Sequence, residues 1–216
     1  SKGVNKRVDE YGGSVTNRAR IVCEMICAVK AACGNDFPVC VRTSGEEGFH
    51  GGNSIEDAAA QAMLFEAAGA DAVHISCGDP IQPYYTKTAF NMENVKKVKS
   101  VLGIPVIGVG RINDPSQAAG VLASGSADFV ALGRQSICDP HFPVKVREGR
   151  LKELYTCTGC LQRCFYSESF EEGNGTSCMM NPFSGKEGIW NIKTADQKKR
   201  IGIVGAGPAG LQAAWI

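Results

Sequence analysis

The feature that most restricts the fold is a recurring unit: a capped helix rich in alanine and branched apolar residues, a glycine, then a strand of five or six mostly apolar residues. Phe37-Pro-Val-Cys-Val-Arg42, Ala72-Val-His-Ile-Ser76, Ile104 to Val109 and Asp128-Phe-Val-Ala-Leu132 are those runs. A strand that is apolar along its length is buried on both faces, as in parallel sheets covered by helices. Ser14 caps the first helix, whose Ile21, Val22, Met25, Ile26 and Val29 form one face and whose end falls at Gly34, a left-handed cap position. Ser54, with Asp57 three residues on, opens the second helix, and Gly69 closes it. The third runs through Val95, Val98 and Val101, and the fourth from the cap Asp114 and first-turn Pro115 to Gly125. A short helix is expected over Phe142 to Glu148.

Strands that alternate with helices pair in parallel through right-handed crossovers, so the class is α/β. Four units over about 110 residues match the pace of a (β/α)8 barrel, which needs about 250 residues for eight. Residues 1–150 therefore read as the carboxyl-terminal half of a TIM (β/α)8 barrel, with a doubly wound sheet as the alternative. The opening helix has no strand before it, so a fragment cut at its amino end is expected. Residues 151–183 form a cysteine-rich segment, 184–199 a polar linker, and 200–216 the start of a Rossmann-like domain. A half barrel leaves strand edges uncovered. The isolated chain is thus expected to dimerise, aggregate or be marginally stable, which makes a homo-oligomer an expected state.

Of 216 residues 44% are hydrophobic, enough for a packed core. Twenty-three Lys and Arg against 22 Asp and Glu leave a net charge of +1, so nothing favours nucleic acid or an acidic membrane. Ser1 to Gly13 lacks the apolar run of a signal peptide, and Ile201 to Ile216 is too short to span a bilayer. A cytoplasmic location is expected. Ten cysteines in such a chain point to metal or cluster chemistry rather than a disulfide framework.

Cys157-Thr-Gly-Cys160-Leu-Gln-Arg-Cys164 and Cys178 put three thiols within eight residues and a fourth after a thirteen-residue excursion. The spacing fits a [4Fe-4S] cluster, in which each iron needs one thiolate. Structural zinc is the competitor, but it usually draws on two Cys-x-x-Cys pairs and only one is present. Cys23, Cys27, Cys33, Cys40, Cys77 and Cys138 lack ligand spacing and read as small buried hydrophobes.

Gly110-Arg111 and Gly133-Arg134 each follow a strand, at what would be the seventh and eighth strand ends, where barrels of this kind bind phosphate. Glycine N–H groups and guanidinium donors suit a phosphate dianion; the plainer reading is surface arginines at turns. Arg42, also at a strand end, would point into the same mouth. His74, inside a strand, reads as a packed, hydrogen-bonded residue sooner than a base. Tyr84 and Tyr85 either line a substrate pocket or are exposed loop aromatics. Gly205, Gly207 and Gly210 form Gly-x-Gly-x-x-Gly between a short strand and an alanine-rich helix, the setting for a pyrophosphate at a helix amino terminus.

Together, Asn5-Lys-Arg-Val-Asp9-Glu-Tyr-Gly-Gly-Ser14 with Asn17-Arg18, the strand ending at Arg42, the paired Gly-Arg ends, the four cysteines and the terminal glycine motif resemble one group. It is the iron–sulfur flavoenzyme branch of the old yellow enzyme family, of the 2,4-dienoyl-CoA reductase and NADH:flavin oxidoreductase type. The resemblance implies an enzyme with an FMN barrel, a [4Fe-4S] cluster and an FAD domain, whose site is truncated here. Electrons would pass from NAD(P)H to FAD, through the cluster to FMN, and as hydride to the activated C=C bond of a small enone or enoate. The resemblance implies that Arg42 contacts the flavin ring, that Gly110, Arg111, Gly133 and Arg134 hold the FMN phosphate, that Cys157, Cys160, Cys164 and Cys178 ligate the cluster, and that Gly205, Gly207 and Gly210 turn beneath the FAD pyrophosphate. In that family the proton donor lies on earlier strands, so no catalytic residue is assigned. Ser76 to Gln82 lacks the histidine of the dienoyl-CoA reductases, which favours another enone or enoate. Amine oxidation of the trimethylamine dehydrogenase type and a non-catalytic metal-binding module are the rival readings.

Overall fold

The computed structural model describes residues 1–78, 84–165, 175–190 and 193–215. Parts of the loop after the second strand, the excursion before Cys178 and the linker therefore lie outside the described residues. The chain runs α1 (Val15–Cys33), β1 (Cys40–Ser44), α2 (Ile55–Ala67), β2 (Ala72–Ser76), α3 (Met92–Lys99), β3 (Val106–Gly108), α4 (Pro115–Ala123), β4 (Phe129–Val130), α5 (Gly133–Cys138) and α6 (Phe142–Arg147). A 3-10 turn at Leu151–Glu153 and α7 (Pro208–Trp215) follow.

All three strand pairs are parallel, and the sheet order is β1-β2-β3-β4. Order that follows the chain without reversal is that of successive barrel units, whereas a doubly wound sheet reverses at a switch point. Helices and sheet share two apolar clusters. One gathers Val73, Ile75, Val95, Val98, Val106 and Val121 between β2, β3 and α2 to α4. The other joins Ala19 and Ile26 of α1 to Val41 and Phe65.

The caps form as the sequence dictates. Ser14 Oγ accepts from the Asn17 N–H at 3.1 Å and Ser54 Oγ from Asp57 N–H at 3.2 Å. Asp114 Oδ1 accepts from Ser116 N–H at 2.8 Å, with Pro115 opening the helix. Gly34 has φ +91° but an extended ψ of 157°, so it ends α1 with positive φ outside the left-handed helical well.

Several expectations fail for physical reasons. β1 starts at Cys40, not Phe37, because Pro38 has no N–H to pair and the Val39 N–H goes to the Asp71 carboxylate at 2.6 Å. Its one buried residue is Val41, which packs against α1 and α2, so only one face of the strand is covered. Of the foreseen α1 face, Ile21 and Met25 are exposed, and the buried positions are Arg18, Ala19 and Ile26. Arg18 stays buried by donating to Asn53 Oδ1 at 2.7 Å and Asp57 Oδ1 at 3.0 Å. Val101 lies past the end of α3 and is exposed. The last two strands shrink to three and two residues. Cys27, Cys33 and Cys40 are exposed rather than buried. Ile201 to Val204 forms no strand, although α7 forms beyond it.

Candidate functional site

Side chains alternate along a strand, so once Val41 and Val73 face the helices, Arg42 and His74 must face the other side of the sheet. These two are register partners, and His74 Nε2 lies 3.5 Å from Arg42 Nη1. They line a cavity of about 390 Å³ whose other walls come from the carboxyl ends of the strands. Gly110 and Arg111 follow β3, and Gly133 and Arg134 open α5, so all five barrel residues singled out in the sequence meet here. Among the described residues the lining has three arginines and no Asp or Glu.

Arg111 is held more firmly than a surface arginine. Its backbone has φ +57°, and its guanidinium donates to the carbonyls of Thr86 and Thr158, the latter at 3.1 Å. Its Nε is buried without a partner. Part of its donor capacity thus fastens the cysteine loop, a duty beyond phosphate binding. Burial and then the Arg42 charge press His74 below the ordinary imidazole range.

The four cysteines line a second, smaller void together with Arg134, Leu161, Met179 and Met180. Arg134, Cys157, Leu161 and Cys164 wall both spaces, so the cysteine void shares a partition with the arginine-lined cavity. All four thiols are free of disulfides. Burial pushes those of Cys157 and Cys164 up, whereas hydrogen bonding with Cys138 holds Cys178 down at about 6. Among the described residues no three Cys, His, Asp or Glu side chains stand close enough to share one metal ion. Tetrahedral zinc needs four sulfurs converging about 2.3 Å from one point. The four thiols line one void of about 10 Å³.

What positions the cysteine loop was not legible in the motif. Gln135, 2% exposed on α5, accepts from Cys157 N–H at 2.9 Å and donates to the Tyr155 carbonyl at 2.7 Å. Asn113 donates to the Cys157 carbonyl at 2.6 Å, and Asn181 donates to the Cys138 carbonyl at 2.8 Å. The only trace of these roles was amide residues beside apolar ones. Gly159, inside the Cys-x-x-Cys pair, has φ +77°, and a Cβ there would stand 3.0 Å from the Arg111 guanidinium. Gly159→Ala is expected to cost about 1–2 kcal/mol and to loosen the loop. An unchanged thermal midpoint would contradict that.

Gly205, Gly207 and Gly210 are not part of either cavity. They do form a tight turn: Gly205 has φ +106°, and a Cβ on Gly210 would meet the Gly205 carbonyl oxygen at 2.0 Å. Tyr84 and Tyr85 are exposed and edge to face, 5.5 Å between ring centroids. Asp79 to Gln82, in the stretch read for a missing histidine, lie outside the described residues.

A parallel, helix-backed sheet with a cavity at its strand ends accords with a TIM-barrel-like fold, and comparison with known proteins gives the family. Residues 1–153 match the NADH:flavin oxidoreductase / NADH oxidase family, and the chain belongs to that family. It is 39% identical to the NADH oxidase of Thermoanaerobacter brockii over 99% of this chain and 34% of that protein. It is 33% identical to the cinnamate reductase of Clostridium sporogenes over 98% of this chain and 35% of that protein. The structure of a 2-naphthoyl-CoA reductase superposes with a TM-score of 0.92 at 32% identity, covering 99% of this chain and 33% of that one. Histamine dehydrogenase from Rhizobium superposes with a TM-score of 0.82 at 31% identity, covering 99% and 32%. The chain thus spans about a third of the length of these relatives. No helix among the described residues is long and apolar enough to cross a membrane.

Proposed function

We propose that this chain is the part of an NAD(P)H-dependent flavin oxidoreductase that holds FMN and a [4Fe-4S] cluster side by side, and that the whole enzyme reduces the activated C=C bond of a small enoate or enone. The observation that carries the reading is the cavity lined by Arg42, Arg111 and Arg134 and walled in part by two of the four cysteines. A site with three guanidiniums, one bearing an orphaned buried Nε, suits an anion such as a phosphate monoester. Cube ligands each bind a different iron, and the four cysteines that the motif singles out line one small void beside that cavity.

Bound there, FMN would supply hydride chemistry and the cluster one-electron chemistry. The chain's own share is electrostatic and positional. Gly110, Arg111, Gly133 and Arg134 would neutralise the phosphate, and Arg42 would face charge that builds on a reduced ring. The Cys157 to Cys164 loop, fixed by Gln135, Asn113 and Arg111, would keep the cluster against the cavity wall. Gly205, Gly207 and Gly210 would carry the pyrophosphate of FAD once their strand is paired. Ten free cysteines accord with a reducing cytoplasm.

The cinnamate reductase likeness supports an enoate substrate, whereas histamine dehydrogenase shares the same fold with an amine as substrate. Full-length enzyme, purified without oxygen, is therefore offered NADH with a cinnamate-type enoate, and separately a methylated amine with an electron acceptor. The reading expects NADH consumption matched by loss of the alkene. Amine-driven reduction alone would establish the rival. Arg134→Ala is expected to weaken FMN binding about tenfold or more, the scale of a charge-assisted contact; flavin content equal to the unsubstituted enzyme would contradict the phosphate assignment.

A further inference from the structure

We propose that His74 is a positioning residue for Arg42: its neutral Nε2 accepts the Arg42 Nη1–H and aims the guanidinium into the cavity. The inference rests on the flavin reading of that cavity. Arg42 and His74 are paired across β1 and β2, 3.5 Å apart, and both line the space. Arginine only donates, so the facing nitrogen must be the unprotonated one, and the ring proton sits on Nδ1. Arg42 has a long, rotamer-rich side chain. Without an acceptor beside it, that guanidinium would sample several directions.

The surroundings keep the imidazole uncharged. The charged or titratable groups lining the same space are Arg42 from β1, Cys77 after β2, Arg111 after β3, Arg134 from α5, and Cys157 and Cys164 from the cysteine loop. Among the described residues none is a carboxylate that would favour an imidazolium. Burial acts in the same direction, and Arg42 adds repulsion between like charges. A protonated ring would put a second cation 3.5 Å from Nη1 and break the contact.

The test uses full-length enzyme and His74→Leu, His74→Gln and His74→Asn. A glutamine amide oxygen reaches about as far as Nε2, and an asparagine amide oxygen stops near Nδ1. His74→Leu and His74→Asn are expected to bind FMN about tenfold more weakly, the value of one lost hydrogen bond to a charged group. Both should also lower the flavin midpoint potential, because a wandering Arg42 stabilises a reduced, anionic ring less. His74→Gln should stay within about threefold of the unsubstituted enzyme. In nitrogen-15-labelled enzyme the His74 resonances should show a proton on Nδ1 and titrate only below the ordinary imidazole range. Should His74→Leu fail to fold, the Gln and Asn pair decides. Unchanged affinity and potential in His74→Asn, or a proton on Nε2 at neutral pH, would overturn the proposal. Arg42→Ala separates the two levels: if it binds FMN normally with an unaltered potential, the flavin reading of Arg42 fails and the proposal falls with it. If Arg42→Ala is impaired but His74→Asn is not, only the role given to His74 fails.

Discussion

Serine at Cys157, Cys160, Cys164 or Cys178 is expected to lower the iron content of the anaerobically purified enzyme from about four atoms per chain to well below one. The broad visible absorption of the cluster should go with it. The reason is geometric. The four thiols enclose one void, and each would serve a separate corner of the inorganic core, so no neighbour can take over a missing position. Cys138 is the partial exception to consider, since it is buried and hydrogen-bonded to Cys178. It sits at the end of α5, outside the lining of the void, and its thiol is pushed well above the usual range by that hydrogen bond and by burial. Cys138→Ala and Cys33→Ser should therefore keep their iron, Cys33 being exposed. One zinc per chain and no colour in the unsubstituted protein would replace the cluster with the structural-zinc reading. Full iron in all four serine variants would remove these residues as ligands.

How much of this was legible beforehand follows from the range of the forces involved. Caps are local: Ser14, Ser54 and Asp114 each bond to an N–H two or three residues away, and the sequence alone placed them. The strand order was recoverable because each apolar run is separated from the next by one helix, which leaves few topologies open. The cavity was half legible. Gly-Arg at equivalent strand ends pointed to Arg111 and Arg134, and a place at the carboxyl end of a strand to Arg42. Nothing local reveals that Arg111 also reaches across 47 positions to the Thr158 carbonyl, or that Gln135 clasps Cys157 from 22 positions away. Such contacts depend on two loops meeting in space. The strand boundaries went astray for the opposite reason. Phe37 and Phe129 look like core residues, yet one precedes a proline and the other lies in a two-residue strand at the sheet edge, and both are exposed. Exposed cysteines on α1 show the same limit, since a small apolar residue does not say which helix face it occupies.

Asp139 carries the second large effect, this one on stability. Its side chain is 1% exposed, and Oδ2 accepts from Lys145 Nζ at 2.8 Å and from Tyr155 N–H at 3.1 Å. Oδ1 accepts from His141 N–H at 3.1 Å. One carboxylate therefore ties the end of α5 to α6 and to the chain entering the cysteine loop. Lys145 is itself only 12% exposed, so removing its anion leaves a mostly desolvated ammonium with one remaining acceptor, the Glu153 carbonyl at 2.9 Å. Breaking one side of a buried pair costs about 3–5 kcal/mol, far more than the worth of a surface bridge such as Arg7 with Asp9. The retained Glu153 contact places Asp139→Ala near the lower end, about 3 kcal/mol. Asp139→Asn keeps an acceptor for the backbone N–H groups and should lose less. A urea titration of the full-length enzyme should show the midpoint fall in the order Asn, then Ala. Iron retention should decline in parallel, because Tyr155 leads directly into Cys157. If Asp139→Ala shifts the midpoint no further than Asp9→Ala does, the buried pair is not what holds the cysteine loop to the barrel.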